Sequence, residues 1–225
     1  MKKLYPVFIL CLLMVTSCGV PGTPAGTQIP SAVPTTAGDV STLRNSYTSD
    51  TFGLHFQYPS KWYGPEEYIS GQTLRVEVGS DKAYPYGESQ EEPSDIKNSY
   101  QVVIQYTLNN QNPAWKDAYQ SLTNLKDSES LAGTRSLIIR VKQLELGRFN
   151  GFEYIFTLPE TAQTEHVYGR EVMLFDEQTN DLLTIMGQPN NVEVNSDADW
   201  RELYKAIDEA NLGYFNDIVQ SITIK

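Results

Sequence analysis

The feature that most constrains the fold is an alternation of apolar and polar residues with a period of two. In residues 52–58, the aromatic and aliphatic side chains share one face, while glycine, histidine and glutamine share the other. This period is typical of a β-strand with one buried face. Comparable patterns predict six further strands, at residues 73–79, 100–108, 134–146, 152–158, 166–176 and 181–188.

Two other segments have helical periodicity. Asn112 followed by Pro113 is a typical helix start, because asparagine caps free backbone N–H groups and proline is tolerated at the first helical position. The apolar stripe that follows is better explained by core packing than by a cofactor; it consists of Trp115, Ala118, Tyr119, Leu122 and Leu125. A second helix is expected after a capping box at 196–199, with an interruption at 211–213 and a short strand at 222–224.

These elements predict an α+β fold: a mainly antiparallel sheet of about seven strands with helices on its faces. Asn150-Gly151 is expected to form a tight hairpin turn, and residues 176–181 to form another turn. The strand at 166–176 carries apolar residues on both faces, which favours a central position in the sheet.

The amino terminus has the order of an export signal. Two lysines precede a nine-residue apolar run at 7–15, which is far shorter than the roughly 20 residues of a membrane-spanning helix. Val15, Thr16, Ser17 and Cys18 then resemble the lipobox of bacterial lipoproteins. The resemblance implies that Cys18 gains a diacylglycerol group and becomes the mature terminus, lipid-anchored to the cell membrane and facing outside the cytoplasm. The alternative is an ordinary cleaved signal, and the choice between inner and outer membrane stays open.

Composition divides the rest of the chain. Residues 1–17 are the expected signal peptide, residues 18–46 the lipidated cysteine with a disordered Pro/Gly/Thr-rich tether, and residues 47–225 a globular domain large enough to bury a core. No cysteine follows Cys18, so the domain has no disulfide, thiolate metal site or cysteine nucleophile.

The chain is strongly acidic. Its formal net charge of −11 becomes more negative when Lys2 and Lys3 leave with the signal. Such a surface repels phosphate backbones and anionic lipid, which argues against nucleic-acid binding and against an electrostatic attachment to membranes. The expected membrane contact is therefore the lipid on Cys18.

Two segments are similar to a known family. Residues 52–62, an aromatic alternating strand running into Tyr-Pro and a tryptophan, look like the start of PsbP-like domains, and residues 215–222 look like that family's last helix leading into a short strand. The resemblance implies an α/β/α sandwich that serves as an accessory, assembly or binding module, often as an exported lipoprotein. It implies no catalytic residue.

The sequence offers little for catalysis. His55 lies on the polar face of an early strand and His166 begins a later one, and neither stands beside a nucleophile motif. Two distant histidines are too few for zinc, and no glycine-rich phosphate loop is present. We therefore expect no enzymatic activity, metal or cofactor. Paired-carboxylate chemistry stays open because acidic residues are plentiful, and the acidic loop at 81–99 leaves a cation site open.

Exposed aromatic residues concentrate at interfaces. Four tyrosines in predicted loops near the first two strands therefore form the expected binding surface: Tyr63, Tyr68, Tyr84 and Tyr86. The leading hypothesis is a non-enzymatic lipoprotein that binds, or helps assemble, an envelope protein. The alternatives are a lipoprotein that binds a small ligand or cation, through the acidic loop or a sheet-end pocket, and, less favoured, a hydrolase.

The lipid anchor gives a first testable prediction. Replacing Cys18 by Ser should abolish incorporation of labelled fatty acid and shift the protein from the membrane to the soluble fraction, because two acyl chains hold a protein firmly to a bilayer. Mass spectrometry of the wild-type amino terminus is the direct check. An unmodified terminal residue, or a leader that remains attached, would contradict the anchor.

Overall fold

The structure, a computed structural model, describes residues 43–82, 96–125, 131–132, 137–157, 169–194 and 199–225, all within the compact unit Thr36–Lys225. Neither described helix has the length and apolar character needed to cross a bilayer. In chain order the elements are β1 (Leu43–Ser49), β2 (Leu54–Pro59), β3 (Tyr63–Ser70), β4 (Thr73–Gly79), β5 (Ser99–Thr107), α1 (Pro113–Thr123), β6 (Leu131–Ala132), β7 (Leu137–Leu146), β8 (Phe149–Thr157), β9 (Gly169–Asp176), β10 (Asp181–Asn190), α2 (Trp200–Ser221) and β11 (Thr223–Ile224).

The described strands form two antiparallel sheets. The larger has eight strands in the order β3-β4-β5-β10-β9-β8-β7-β6, and the smaller has three in the order β1-β2-β11. The α+β fold with a mainly antiparallel sheet is thus confirmed, and β9 is central as expected. The expected first strand, β2, lies in the smaller sheet, and the sequence pattern misses β1, β3 and the two-residue β6. β3 lacks a clean apolar alternation, since none of its residues is buried.

The helices cover opposite faces of the larger sheet, and alternate side chains of β9 pack into the cores on the two faces. One core packs the sheet against α2 and the smaller sheet, with Leu174, Phe56 and Phe215 fully buried. The other core packs α1 on the opposite face, where Trp115 meets Phe175. The predicted α1 stripe is confirmed as core, since Trp115 and Leu122 are buried and Ala118, Tyr119 and Leu125 pack against the same cluster.

The predicted turn at Asn150-Gly151 is wrong. Both residues lie within β8, and the chain reverses at Gly147 and Arg148, where Gly147 has a φ of +59°. Gly151 is required for a different reason: a Cβ there would lie 1.9 Å from the backbone oxygen of Met173 on β9. The glycine therefore allows two strands to approach, a contact that local sequence does not show.

Two further boundaries differ from expectation. β1 begins at Leu43, so the last residues of the expected tether belong to a strand. α2 is a single helix of 22 residues with Asp199 as its N-cap, and the predicted interruption at 211–213 is wrong. Gly213 costs about 1 kcal/mol inside a helix, but the buried side chains that follow it, Phe215 and Ile218, hold the helix on the sheet.

A buried ion pair fastens α2 to the sheet. Arg170 of β9 donates from Nε to Oδ1 of Asp208 at 2.9 Å and from Nη2 to Oδ2 at 2.5 Å. The Tyr100 hydroxyl donates to Oδ1 at 3.1 Å, and Glu153 lies 3.6 Å from Nη1 of Arg170. Asp208 is completely buried, and its pKa is raised by this burial, although Arg170 and the Tyr100 hydroxyl oppose the shift. Both charges are therefore compensated within the core.

Removing one member of this pair should be costly. Replacing Arg170 by Met leaves the Asp208 carboxylate buried without its cation, which typically costs about 3–5 kcal/mol in the free energy of unfolding. The double variant Arg170→Met/Asp208→Leu should recover part of the loss, because neither charge then remains. Urea unfolding measures both values.

The matched control is the exposed pair of Arg201 with Asp199, whose charged atoms lie 3.7 Å apart. Replacing Arg201 by Gln should change the unfolding free energy by less than about 1 kcal/mol. An equally small loss for Arg170→Met would contradict the structural role of the buried pair.

Candidate functional site

Two of the four predicted surface tyrosines fall on β3 rather than in loops. Tyr63 and Tyr68 are 43% and 42% exposed. They pair with Gly79 and Arg75 of β4, which lie on one face of that strand, so a register shift after Tyr63 leaves both tyrosines on the same face. The neighbouring Ile69, which pairs with Leu74 and therefore lies on the opposite face of β3, is 48% exposed.

Tyr84 and Tyr86 lie outside the described residues, as do His166 and most of the acidic loop. Within the described ranges, no group of three or more His, Cys, Asp or Glu side chains could hold a metal ion. The cation hypothesis for loop 81–99 therefore stays a prediction.

Tyr63 and Tyr68 lie on the terminal strand of the larger sheet. Among the described strands β3 pairs only with β4, so the backbone groups along its other edge pair with no described strand. Pro65, which has no N–H group, and the acidic pair Glu66 and Glu67 occupy the middle of this strand, between Tyr63 and Tyr68, and Glu67 accepts a hydrogen bond from the Tyr47 hydroxyl. Proline and charge limit non-specific strand pairing. The two ends of β3, where the tyrosines lie, are the parts suited to a partner.

A cavity of about 570 Å³ lies where the smaller sheet meets one end of the larger. We call it the Arg148 cavity; its lining includes Phe52, His55, Tyr106, Arg148 and Lys225. Arg148 is placed here by the turn between β7 and β8. The cavity thus gathers residues that are far apart in the sequence.

The Arg148 guanidinium is compensated by two acids. Its Nε lies 2.9 Å from Asp176, and its Nη2 donates to Asp181 at 2.9 Å and to the Tyr106 hydroxyl at 3.2 Å. Tyr106 in turn donates to Asp181 at 2.7 Å, and its pKa is raised by burial and by this hydrogen bond. Arg148 therefore links the turn between β7 and β8 to the ends of β5, β9 and β10. Because both acids neutralise the guanidinium, it is not an unpaired anion site.

Among the described residues, none completes a catalytic triad with His55, which lies in the same cavity. Its Nδ1 lies 2.9 Å from the Thr48 hydroxyl, but these two residues are direct cross-strand partners of β1 and β2. Asp50 also lines the cavity, yet within the described part of the chain no carboxylate hydrogen-bonds to the imidazole. A triad needs an acid that orients the ring. The arrangement is explained by ordinary pairing across a sheet.

A second cavity, also about 570 Å³, lies along α1. We call it the α1 groove; it is lined by Trp115, Lys116, Tyr119, Gln120, Thr123, Asn124, Phe175, Glu177 and Asn180. The Trp115 and Phe175 rings are 3.9 Å apart between centroids, and Lys116 Nζ lies 5.4 Å from the Trp115 centroid. The Trp115 Nε1 atom is buried and has no hydrogen-bond partner among the described residues. An unsatisfied buried donor costs about 1–3 kcal/mol.

The sequence pattern identified Trp115 and Tyr119 only as core residues. It missed the groove because Phe175, Glu177 and Asn180 come from β9 and the turn after it, more than fifty residues later in the chain. It also missed the Arg148 cluster, since neither Arg148 nor its acids stand in a recognisable motif.

Comparisons with known proteins add little. No family model matches the chain, and no curated protein matches it. A solved structure, the Ran-binding protein Mog1p of Saccharomyces cerevisiae, aligns over 81% of this chain and 96% of its own, with 9% identity and a TM-score of 0.39. At that level of similarity the alignment carries no argument about function.

The Arg148 cluster predicts a pH-dependent stability. Burial acts to raise the pKa of Asp176, but hydrogen bonds from Gln178 and Thr179 and the charge of Arg148 hold it below its usual value. The charged form therefore stabilises the fold above the unfolded-state pKa of about 3.9, and this contribution is lost as the pH falls through the lower folded-state pKa.

Replacing Asp176 by Asn removes that charge. We expect the unfolding free energy at pH 7 to fall by about 1 kcal/mol or more, and the difference from wild type to shrink below about pH 4. Glu177→Gln, an exposed carboxylate on the same turn, is the control and should change stability by less than about 0.5 kcal/mol at any pH. A loss for Asp176→Asn that is independent of pH would contradict the electrostatic explanation.

Proposed function

We propose that this chain is a lipoprotein of the bacterial cell envelope, held outside the cytoplasm by lipid on Cys18, whose PsbP-like domain binds or helps assemble another envelope protein without catalysis. The observation that carries the proposal is the pair of exposed tyrosines, Tyr63 and Tyr68, on one face of β3. The lipobox at Val15–Cys18 supports the location, and the cross-strand explanation of His55 supports a binding role over hydrolysis.

The chemistry of β3 favours a protein as the partner. A terminal strand offers backbone N–H and C=O groups in a row, which an extended segment of another protein satisfies by adding a strand. Tyrosine contributes a large rigid ring with a polar tip, a residue type enriched where protein interfaces concentrate their binding energy. The partner segment should carry basic residues, because Glu66 and Glu67 lie between the two tyrosines and the chain is acidic.

The tether expected from composition would let the domain meet such a partner. Between Cys18 and the start of β1 at Leu43 the chain has about 24 residues, and a random coil of that length spans roughly 25–30 Å on average. This distance clears a lipid headgroup layer while the lipid confines the search to the membrane surface.

Site-specific photo-crosslinking in cells tests the proposal. A photoreactive amino acid at position 63 or 68 should capture the same protein in both cases, whereas one at Glu209, an exposed position on α2, should not. The double variant Tyr63→Ser/Tyr68→Ser should reduce recovery of that protein at least tenfold. Its thermal midpoint should stay close to wild type, because both side chains are more than 40% exposed.

The outcomes separate the alternatives. Capture from positions 63 and 68 that the double variant abolishes supports docking on β3. The absence of any captured protein at either position, or equal capture from position 209, would overturn it.

A further inference from the structure

The α1 groove combines features that are found together in sites for small polar ligands. Its volume of about 570 Å³ falls within the range of about 300–1,000 Å³ typical of such sites. One wall is aromatic, and the rest of the lining carries amide and hydroxyl groups. This composition restricts the chemistry of any occupant.

The aromatic wall is rigid. Phe175 stacks on Trp115 and lies 6.0 Å from the Tyr119 ring, which is in turn 5.4 Å from Phe152. Lys116, a long exposed side chain, lies beside the Trp115 ring, with its Nζ 5.4 Å from the ring centroid. A ligand that moved this side chain aside would gain contact between its C–H groups and the aromatic ring.

The polar lining is neutral overall and rich in groups that both donate and accept. Gln120, Asn124 and Asn180 contribute three primary amides, each with two N–H donors and a carbonyl acceptor. Lys116 and Glu177 contribute one charge of each sign. No cluster of like charge is present among the described lining residues, so the groove favours neither an anion nor a cation.

These observations favour a saccharide over other neutral ligands. A sugar ring presents C–H groups on its faces and hydroxyl groups around its edge, which match an aromatic wall bordered by amides. An extended peptide would require free backbone groups along a strand edge, whereas this groove is lined by side chains of a helix and a turn. The buried Trp115 Nε1 is, in addition, a donor without a partner among the described residues.

We propose that the α1 groove binds a neutral saccharide, with the ring stacked beside Trp115 and Tyr119 and its hydroxyl or acetamido groups bonded to Gln120, Asn124 and Asn180. The proposal goes beyond the docking of a protein on β3 and does not rest on it. In the order of the larger sheet, β3 lies at one end, while α1 packs on the strands from β10 to β7.

The test uses the full chain in mild detergent, titrated with triacetylchitotriose and with cellotriose up to about 10 mM. Calorimetry measures binding, and tryptophan fluorescence reports on the groove because Trp115 is one of only three tryptophans. We expect saturable binding of at least one sugar with a change in emission. Trp115→Phe should remove the emission change, while Trp200→Phe, on the other helix, should retain it.

Replacing Gln120 by Ala supplies the decisive variant. This exposed side chain can be shortened without loss of folding, as circular dichroism will verify, and its loss should weaken sugar binding about tenfold or more. Binding of both sugars indicates recognition of hydroxyl groups, and binding of triacetylchitotriose alone indicates recognition of acetamido groups. Three results would overturn the proposal: no binding of either sugar, binding that is unchanged by both Gln120→Ala and Trp115→Phe, or tighter binding of trialanine that depends on the same residues.

Discussion

The described structure depends on the buried contact between Arg170 and Asp208. It joins a central strand to the helix that closes the main core, and Tyr100 completes it from a third element. Gly187 allows Tyr100 and Phe215 to pack closely against the sheet, because a Cβ there would lie 2.5 Å from the Tyr100 hydroxyl and 2.6 Å from the Phe215 ring. A paired buried charge contributes little net stability over an apolar contact, but an unpaired one is strongly unfavourable. The pair therefore specifies where α2 lies on the sheet.

This placement determines what the two faces of the larger sheet can do. α2 and the smaller sheet cover one face with a continuous core, and the Arg148 cavity lies at the end of that face. On the opposite face, the shorter α1 packs over the strands from β10 to β7 and leaves a groove along its side. The edge strand β3 belongs to the far end of the same sheet. The proposed docking of a partner on β3 and the proposed ligand binding in the α1 groove would therefore use separate parts of one domain.

Local patterns were reliable where a segment's own periodicity matched its burial. The strand at β4, the cap at Asn112 with Pro113, and the central position of β9 were all predicted from spacing and turn chemistry. Local patterns are unreliable where a glycine can serve either a turn or close packing. The pattern predicts a turn at Gly151, but this glycine allows a neighbouring strand to approach. The pattern also predicts a helix interruption at Gly213, but tertiary packing maintains the helix there.

The sequence by itself determined the α+β class and the acidic composition, and it supplied Cys18 and the tyrosines on which the proposed anchor and binding surface rest. Only the tertiary structure decided that Tyr63 and Tyr68 share a face of an edge strand, that Arg148 is neutralised by two acids, and that Trp115 walls a groove with Phe175. The physical reason is the separation along the chain between the residues that interact. Periodicity and capping report forces between near neighbours in the chain, whereas these sites depend on strand register and on contacts between residues separated by tens of positions.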